Sequence, residues 1–141
     1  MKLKIKKLNS EAKVPQCAIG GDAAMDLYSI DDIVLKPGDL LPCKTGIAVA
    51  IPEGYAGLIW DKSGIALNGG IKTMGGVIDS NYRGEIAVIM VNLSKKDYTI
   101  NKGDKVAQIL IQKVECPMIE EVEELDDTER GEGGFGSTGL R

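Results

Sequence analysis

A carboxylate that follows a pair of glycines is the first candidate for chemistry in this 141-residue sequence. The chain contains no histidine, so Asp79 is the natural general base, although an unperturbed pKa near 4 makes it weak at neutral pH. Such a base needs close positioning and an electrophile whose charge is neutralised. The alternative is that Asp79 makes an Asx hydrogen bond in a turn, which is the commoner role of a loop aspartate.

Two other segments combine a cation, hydroxyl groups and glycine, which suits them to bind phosphate. Lys62-Ser63-Gly64 lies at a possible helix start, where the alternative is an ordinary capped turn. The glycine-rich segment 130–139 offers backbone N–H groups for an anion-binding nest, and its arginine can clamp a phosphate through two hydrogen bonds. Its Phe135 is the only phenylalanine of the chain and is expected to cover a flat group. The alternative is an unstructured C-terminus with an incidental phenylalanine.

Two polar residues stand out because their neighbours in the sequence are apolar. Asp26 follows Ala24-Met25 and precedes Leu27, and a buried charge needs a partner, so a structural ion pair is the main alternative to a functional role. Gln108 lies within an apolar run, where it needs partners if it is buried and can donate to a ligand oxygen. Its alternative is an outward-facing strand position.

The segments that must position these residues have the pattern of strands. Residues 2–8 predict a short edge strand, and a short helix is expected near Ser63, with Ser63 as its N-cap candidate. Turn signals that contain glycine separate further apolar runs rich in isoleucine and valine. These runs are Ile33–Leu35, Gly46–Ile51, Tyr55–Trp60, Ile86–Leu93 and Val106–Val114. Many short strands at this spacing indicate a sandwich, a jelly roll or a small barrel.

The net charge of −4 combines three unlike parts. Residues 1–114 carry +3, residues 115–129 carry −8, and residues 130–141 carry +1. We therefore expect one domain over residues 1–129 and a flexible, glycine-rich arm over residues 130–141. No polybasic surface indicates nucleic-acid binding, and no apolar stretch is long enough to cross a membrane.

The three cysteines, Cys17, Cys43 and Cys116, lie far apart in the sequence and have no metal-ligand spacing. They are expected to be free thiols in a reducing compartment. We expect a cytoplasmic protein, or one of the host cytoplasm if the source is viral.

Taken in order, five segments resemble the five motifs of the trimeric dUTP pyrophosphatase (dUTPase) family. The resemblance runs from about residue 15 to residue 139, and the third and fifth motifs are the most specific. The five segments are 24–29 (Ala-Met-Asp-Leu-Tyr-Ser), 61–66 (Asp-Lys-Ser-Gly-Ile-Ala), 76–85 (Gly-Val-Ile-Asp-Ser-Asn-Tyr-Arg-Gly-Glu), 103–108 (Gly-Asp-Lys-Val-Ala-Gln) and 130–139 (Arg-Gly-Glu-Gly-Gly-Phe-Gly-Ser-Thr-Gly).

The resemblance implies an all-β, jelly-roll-like β-barrel that forms a homotrimer and exchanges its C-terminal arm between subunits. It implies Mg²⁺-dependent hydrolysis of dUTP to dUMP and pyrophosphate. That reaction keeps uracil out of DNA and supplies dUMP for thymidylate synthesis. Each of the three active sites would draw on all three subunits.

The resemblance also implies the role of each site residue. Asp79 would activate the water that attacks the α-phosphorus, and Asp26 would hold waters of the Mg²⁺, which the triphosphate mainly binds. The backbone from Thr73 to Val77 would form a hairpin that reads the uracil edge, and Tyr82 would lie against the deoxyribose. The implied substrate-binding residues are Lys62, Ser63, Gly64, Thr73, Gly76, Val77, Ile78, Tyr82, Gln108, Arg130, Phe135, Gly136, Ser137 and Thr138.

This sequence differs from the commonest family pattern at two positions. Lys62 stands where arginine is usual, which keeps the charge but loses the bidentate geometry. At Thr73 some relatives use an asparagine side chain on uracil, so the base contact here is expected to be made by the backbone alone.

Three alternative functions differ in chemical class. A dCTP deaminase of the same superfamily would have a glutamate ten positions after Asp79, where this chain has Ile89. A dUTP-binding regulator without turnover would not need polar residues in all five motifs. A purely structural jelly-roll protein, such as a capsid subunit, would have no use for the arginine- and glycine-containing tail.

Overall fold

The computed structural model describes residues 1–134, and these form eleven short strands and one short helix. No helix in this part of the chain has the length and apolar character to cross a membrane. The elements are β1 (Lys4–Lys7), β2 (Met25–Tyr28), β3 (Ile33–Leu35), β4 (Leu40–Lys44), β5 (Ile47–Ala50), β6 (Tyr55–Trp60), α1 (Ser63–Gly69), β7 (Ile71–Met74), β8 (Val77–Ile78), β9 (Ala87–Asn92), β10 (Tyr98–Ile100) and β11 (Lys105–Lys113).

Antiparallel pairing arranges these strands in four small sheets. The largest has the order β2-β11-β6-β8, the next has the order β4-β9-β7, and two strand pairs, β1-β5 and β10-β3, complete the set. Side chains alternate between the two faces of each strand, so in β9 the residues Val88, Met90 and Asn92 point inward while Ile89 is exposed. The all-β prediction is confirmed.

The core between the sheets consists mainly of β-branched and leucine side chains that exclude water almost completely. The largest side chains with less than 2% exposure include Leu27, Ile47, Ile86, Val88 and Ile109. These residues come from positions far apart in the sequence, so the core holds together strands that are distant along the chain.

The start of helix α1 differs from the sequence prediction. Ser63 is the first helical residue and not the N-cap, which is Lys62 in an extended conformation. The Lys62 carbonyl accepts the first helical hydrogen bond, from the Ala66 N–H at 2.9 Å. The side chain of Lys62 makes no capping bond, because an ammonium group only donates and cannot accept from a backbone N–H.

Candidate active site

The buried carboxylate of Asp26 lies between two lysines. Asp26 is in strand β2 and only 4% exposed. Its Oδ1 accepts a hydrogen bond from the Lys62 ammonium group, which comes from the loop after β6. The Lys105 ammonium group, at the start of β11, lies 2.7 Å from Oδ2. Asp26 therefore holds two cations from two different motifs at one point of the fold.

The two lysines also set the protonation state of Asp26. Burial by itself would raise the pKa of this carboxyl, but the nearby ammonium groups of Lys105 and Lys62 outweigh it and hold the pKa below its usual range. Oδ2 is an ion-pair partner of Lys105, yet it accepts no well-aligned hydrogen bond from residues 1–134. Asp26 is thus an anion with one oxygen that has capacity for a further donor.

A cavity of about 460 Å³ opens beside this group, and we call it the cationic cavity after Lys62, the one cation that residues 1–134 contribute to its lining. The lining also includes three carboxylates and two other large side chains, which are Asp22, Asp26, Asp61, Trp60 and Gln108. The Gln108 side chain is half-buried, and its Nε2 donates to the carbonyl of Asp61 at 2.8 Å. Residues from the first, second and fourth motifs therefore meet in one place, although 36 and 46 positions separate Lys62 from Asp26 and from Gln108.

The segment expected to be a hairpin is a corner between two sheets, and we call residues 73–77 the glycine corner. Strand β7 pairs with β9, whereas β8 pairs with β6. The connection is made by Gly75 and Gly76, at φ values of 67° and 96°, which lie in the left-handed region that favours glycine. The Gly76 carbonyl accepts a hydrogen bond from the Ile59 N–H at 2.8 Å. A cavity of about 220 Å³ lies against this corner, Lys72 and Trp60.

Asp79 lies in a third cavity, of about 360 Å³, which we call the Asp79 cavity. Its lining includes Val77, Ile78, Tyr82 and Glu85. Asp79 is exposed, and no group in residues 1–134 hydrogen-bonds or ion-pairs with its carboxylate. The Asx hydrogen bond considered as an alternative is therefore not formed there. The Tyr82 hydroxyl donates to the Glu85 carbonyl at 3.1 Å, which holds the ring beside the turn.

The three cavities form a series but stay distinct. Trp60 lines both the cationic cavity and the cavity at the glycine corner, and Val77 lines both the latter and the Asp79 cavity. None of these three cavities is lined by both Lys62 and Asp79.

The predicted substrate-binding residues of the C-terminal segment divide at residue 134. Arg130 donates from Nε to the Gly133 carbonyl at 2.7 Å, within its own turn. Phe135, Gly136, Ser137 and Thr138 lie outside the described residues. Ser63 and Gly64 are exposed at the start of α1.

Three charged or aromatic residues of the site were not among the residues predicted from the sequence. Lys105 is the second partner of Asp26, and the need of a buried carboxylate for cations was the signal that could have found it. Trp60 is 57% exposed between two cavities, which is unusual for the only tryptophan of a chain. Asp61 contacts residues of two other strands, and no sequence signal identified those contacts.

Comparison with known proteins identifies the family of this chain. The dUTPase family model matches residues 10–139. The chain belongs to the dUTPase family. It is 46% identical to the deoxyuridine 5'-triphosphate nucleotidohydrolase of Clostridium kluyveri and 49% identical to that of Nautilia profundicola, and each alignment covers 99% of both chains.

Solved structures show the same dUTPase fold. The Staphylococcus bacteriophage 80alpha dUTPase with dUPNHPP superposes with a TM-score of 0.93 at 30% identity, over 99% of each chain. The dUTPase of phage phi11 of S. aureus superposes with a TM-score of 0.85 at 28% identity, over 91% of this chain and all of that one. The predicted family, the jelly-roll-like fold and the assignment to the dUTP diphosphatase enzymes are confirmed.

Proposed function

We propose that this protein hydrolyses dUTP to dUMP and pyrophosphate, with Asp79 as the general base. The observation that carries the proposal is the Asp79 carboxylate, which has no partner among residues 1–134 and lies in a cavity adjoining the glycine corner. In cells the reaction would keep uracil out of DNA and supply dUMP. The cysteines Cys17, Cys43 and Cys116 are free thiols, which supports action in the reducing cytoplasm.

The proposed reaction is an attack of water on the α-phosphorus. Asp79 accepts a proton from the water as the new P–O bond forms, and the bond from the α-phosphorus to the bridging oxygen breaks. Pyrophosphate leaves with that oxygen. Lys62, Gln108 and the backbone at Ser63 and Gly64 bind the phosphate oxygens, and their donors stabilise the charge that develops in the transition state.

The residues of the cationic cavity fit a Mg²⁺ ion that the triphosphate mainly holds. Among residues 1–134 no group of three acidic, cysteine or histidine side chains could hold a metal by itself, so the protein supplies at most a supporting contact. The buried Oδ2 of Asp26 ion-pairs with Lys105 but accepts no aligned hydrogen bond within the described residues, and it is suited to accept one from a metal-bound water. When bound, Mg²⁺ would offset the triphosphate charge and orient it. One phi11 relative is described with a structural Mg(II) ion.

The glycine corner supplies the proposed base contact. Main-chain N–H and C=O groups between Thr73 and Val77 match the hydrogen-bonding edge of uracil and reject cytosine, whose pattern is inverted. A tight corner leaves no room for the 5-methyl group of thymine. Ile78 follows the corner and extends the surface against which the base lies. Tyr82 lies against the deoxyribose and excludes a 2′-hydroxyl group.

We further propose that the active site is shared between subunits of a homotrimer. The separation of Lys62 and Asp79 into different cavities of one chain supports this arrangement. The arm from Arg130 to Thr138 would close over a neighbouring subunit's nucleotide, with Phe135 on the uracil and Arg130, Gly136, Ser137 and Thr138 on the phosphates.

The decisive assay for the activity is pyrophosphate release from dUTP, dTTP, dCTP and UTP in the presence of Mg²⁺. Selective release from dUTP is expected. Uracil products from dCTP would favour the deaminase alternative, and tight binding of dUTP without turnover would favour the regulator.

Complementation tests the shared site. We expect Asp79→Asn and Lys62→Met homotrimers to be weakly active alone. Dissociated and reassembled together, they should regain activity, because some mixed trimers contain a site with an intact Asp79 from one subunit and an intact Lys62 from another. Reassembled mixtures that stay as inactive as the parents would contradict shared sites.

A further inference from the structure

One aspartate joins the loop of the cationic cavity to the glycine corner. Asp61 follows strand β6 and immediately precedes Lys62. Its Oδ1 accepts two hydrogen bonds from Thr73, from the backbone N–H at 2.6 Å and from the hydroxyl at 2.7 Å. Its Oδ2 lies 2.8 Å from the Lys72 ammonium group. Both carboxylate oxygens are therefore engaged by strand β7.

The Asp61–Thr73 contact joins two different sheets through side-chain hydrogen bonds. Thr73 is in β7 of the three-stranded sheet, whereas Asp61 follows β6 of the four-stranded sheet. On the far side of the corner, the Ile59 N–H donates to the Gly76 carbonyl at 2.8 Å. The corner is thus anchored to the end of β6 at two points: by a backbone hydrogen bond at Gly76 and by the Asp61 side chain at Thr73.

Of the two contacts, the one between Asp61 and Thr73 is the stronger kind. Hydrogen bonds to an ionised carboxylate are roughly twice as strong as those between neutral groups. Burial alone would raise the pKa of Asp61, but Lys72 and the two Thr73 donors outweigh it and hold the pKa below the usual range. Asp61 is therefore ionised at neutral pH, with its oxygens committed to Thr73 and Lys72.

The same residue supports the cationic cavity through its backbone. The Asp61 carbonyl accepts the hydrogen bond from Gln108 Nε2 at 2.8 Å. Any displacement of Asp61 therefore moves a proposed phosphate-binding side chain as well as the corner. Fixed geometry matters most where backbone atoms do the recognising, since misplacement by about 1 Å costs on the order of 10²-fold in rate.

We infer that Asp61 is a positioning residue for base discrimination. Its hydrogen bonds to Thr73 hold the glycine corner in the shape that accepts uracil and rejects other bases. This inference rests on the proposed dUTP hydrolysis. Asp61 acts through the main chain of the corner and does not touch the reacting atoms.

The test is the ratio of kcat/KM for dUTP to kcat/KM for dTTP and for dCTP, measured with Mg²⁺ on the full-length protein. We expect Asp61→Ala to lower these ratios by about tenfold or more, mainly through a higher KM for dUTP. Asp61→Asn keeps an acceptor for Thr73 but loses the charge, and Thr73→Val loses only the hydroxyl contact, so both should lower the ratios less.

Asp39→Ala is the matched control. Asp39 also accepts a backbone N–H bond, from Lys36 at 2.8 Å, but it caps the β3–β4 turn and lines none of the three cavities. Its loss should leave the ratios unchanged. A merely structural role of Asp61 would lower kcat equally for all nucleotides, through a smaller folded fraction, and would also leave the ratios unchanged.

The outcomes separate this inference from the proposed function. An active wild type whose ratios survive in Asp61→Ala would overturn the inference alone. A wild type that releases no pyrophosphate from dUTP would overturn both. If Asp61→Ala does not fold, Asp61→Asn and Thr73→Val decide in its place, and unchanged ratios in both would reject the inference.

Discussion

In the proposed function, the cationic cavity and the glycine corner would recognise the nucleotide with different atoms. The cavity presents charged side chains, among them Lys62, which pairs with the buried Asp26. The corner presents backbone groups, with Gly75 and Gly76 contributing no side chains. Charges attract any polyphosphate, whereas a fixed backbone edge accepts only a base of matching pattern and size. The comparison teaches that, in the proposed function, affinity and specificity would come from separate parts of this fold.

The largest effect of a substitution is expected outside these two regions, at the carboxylate of Asp79. Asp79→Asn should reduce kcat by about 10³-fold, because an amide cannot accept the proton of the attacking water. Binding of dUTP should persist, since the cavity and the corner are intact. Quenched-flow or steady-state pyrophosphate assays measure the first quantity. The fluorescence of Trp60, the only tryptophan, measures the second. Undiminished kcat would remove Asp79 from the role of base.

Lys62→Met tests the charged half of the comparison. We expect a loss of about 10²-fold in kcat/KM, because a donor to the phosphates disappears, with similar factors for all nucleotides that are turned over. Lys62→Arg keeps the charge and is the matched control. Thermal unfolding should accompany the kinetics, since Asp26 retains Lys105 but loses its other partner. A selective loss for dUTP alone would contradict the division between affinity and specificity.

Gly76→Ala tests the backbone half. A Cβ at this position would lie 2.8 Å from the Ile59 carbonyl oxygen, at a φ of 96°, so we expect a destabilisation of about 1–3 kcal/mol together with weaker base discrimination. Gly20→Ala is the control, because a Cβ there meets nothing within 4 Å. Denaturant unfolding gives the stability difference, and equal effects of the two substitutions would argue against a close approach at Gly76.

The smallest expected effect is a pH dependence at the link between the two regions. The folded-state pKa of Asp61 is lowered, so its stabilisation is complete at pH values well above the ordinary value of about 3.9 and is lost as pH falls through the folded pKa. The difference in unfolding free energy between wild type and Asp61→Asn should therefore be larger at neutral pH than at pH 3. A difference that is constant over this range would show that Asp61 does not keep a lowered pKa.

The strands that periodicity predicted best are the most apolar ones. Ile33–Leu35 and Tyr55–Trp60 were predicted with the bounds that the structure gives, because apolar runs bounded by turn residues favour a strand. Strands β2, β4, β7, β8 and β10 were not predicted as strands. All five are short, and β2, β4 and β7 also contain a residue that weakens the pattern, namely Asp26, Pro42 and Lys72 respectively.

The candidate site was predictable residue by residue but not in its contacts. Asp26, Lys62, Gln108 and Asp79 were each singled out by residue type, and the family resemblance supplied their order. Which cations neutralise Asp26 depends on the antiparallel register of β2 with β11. The contact of Asp61 with Thr73 depends on how two sheets meet, so neither contact follows from local sequence.

The glycine corner also limits how this protein can diversify. A pocket lined by side chains changes its preference through single substitutions, because each codon change alters one contact. A corner made of main chain has no side chains to exchange. A side chain introduced at Gly75 or Gly76 would have to adopt a left-handed backbone conformation, and at Gly76 it would also meet the carbonyl oxygen of Ile59. New base preferences would have to arise by insertion or deletion in the loop, or by rebuilding the residues that hold it. In the proposed function, single substitutions would therefore change the charges of this fold more readily than its choice of base.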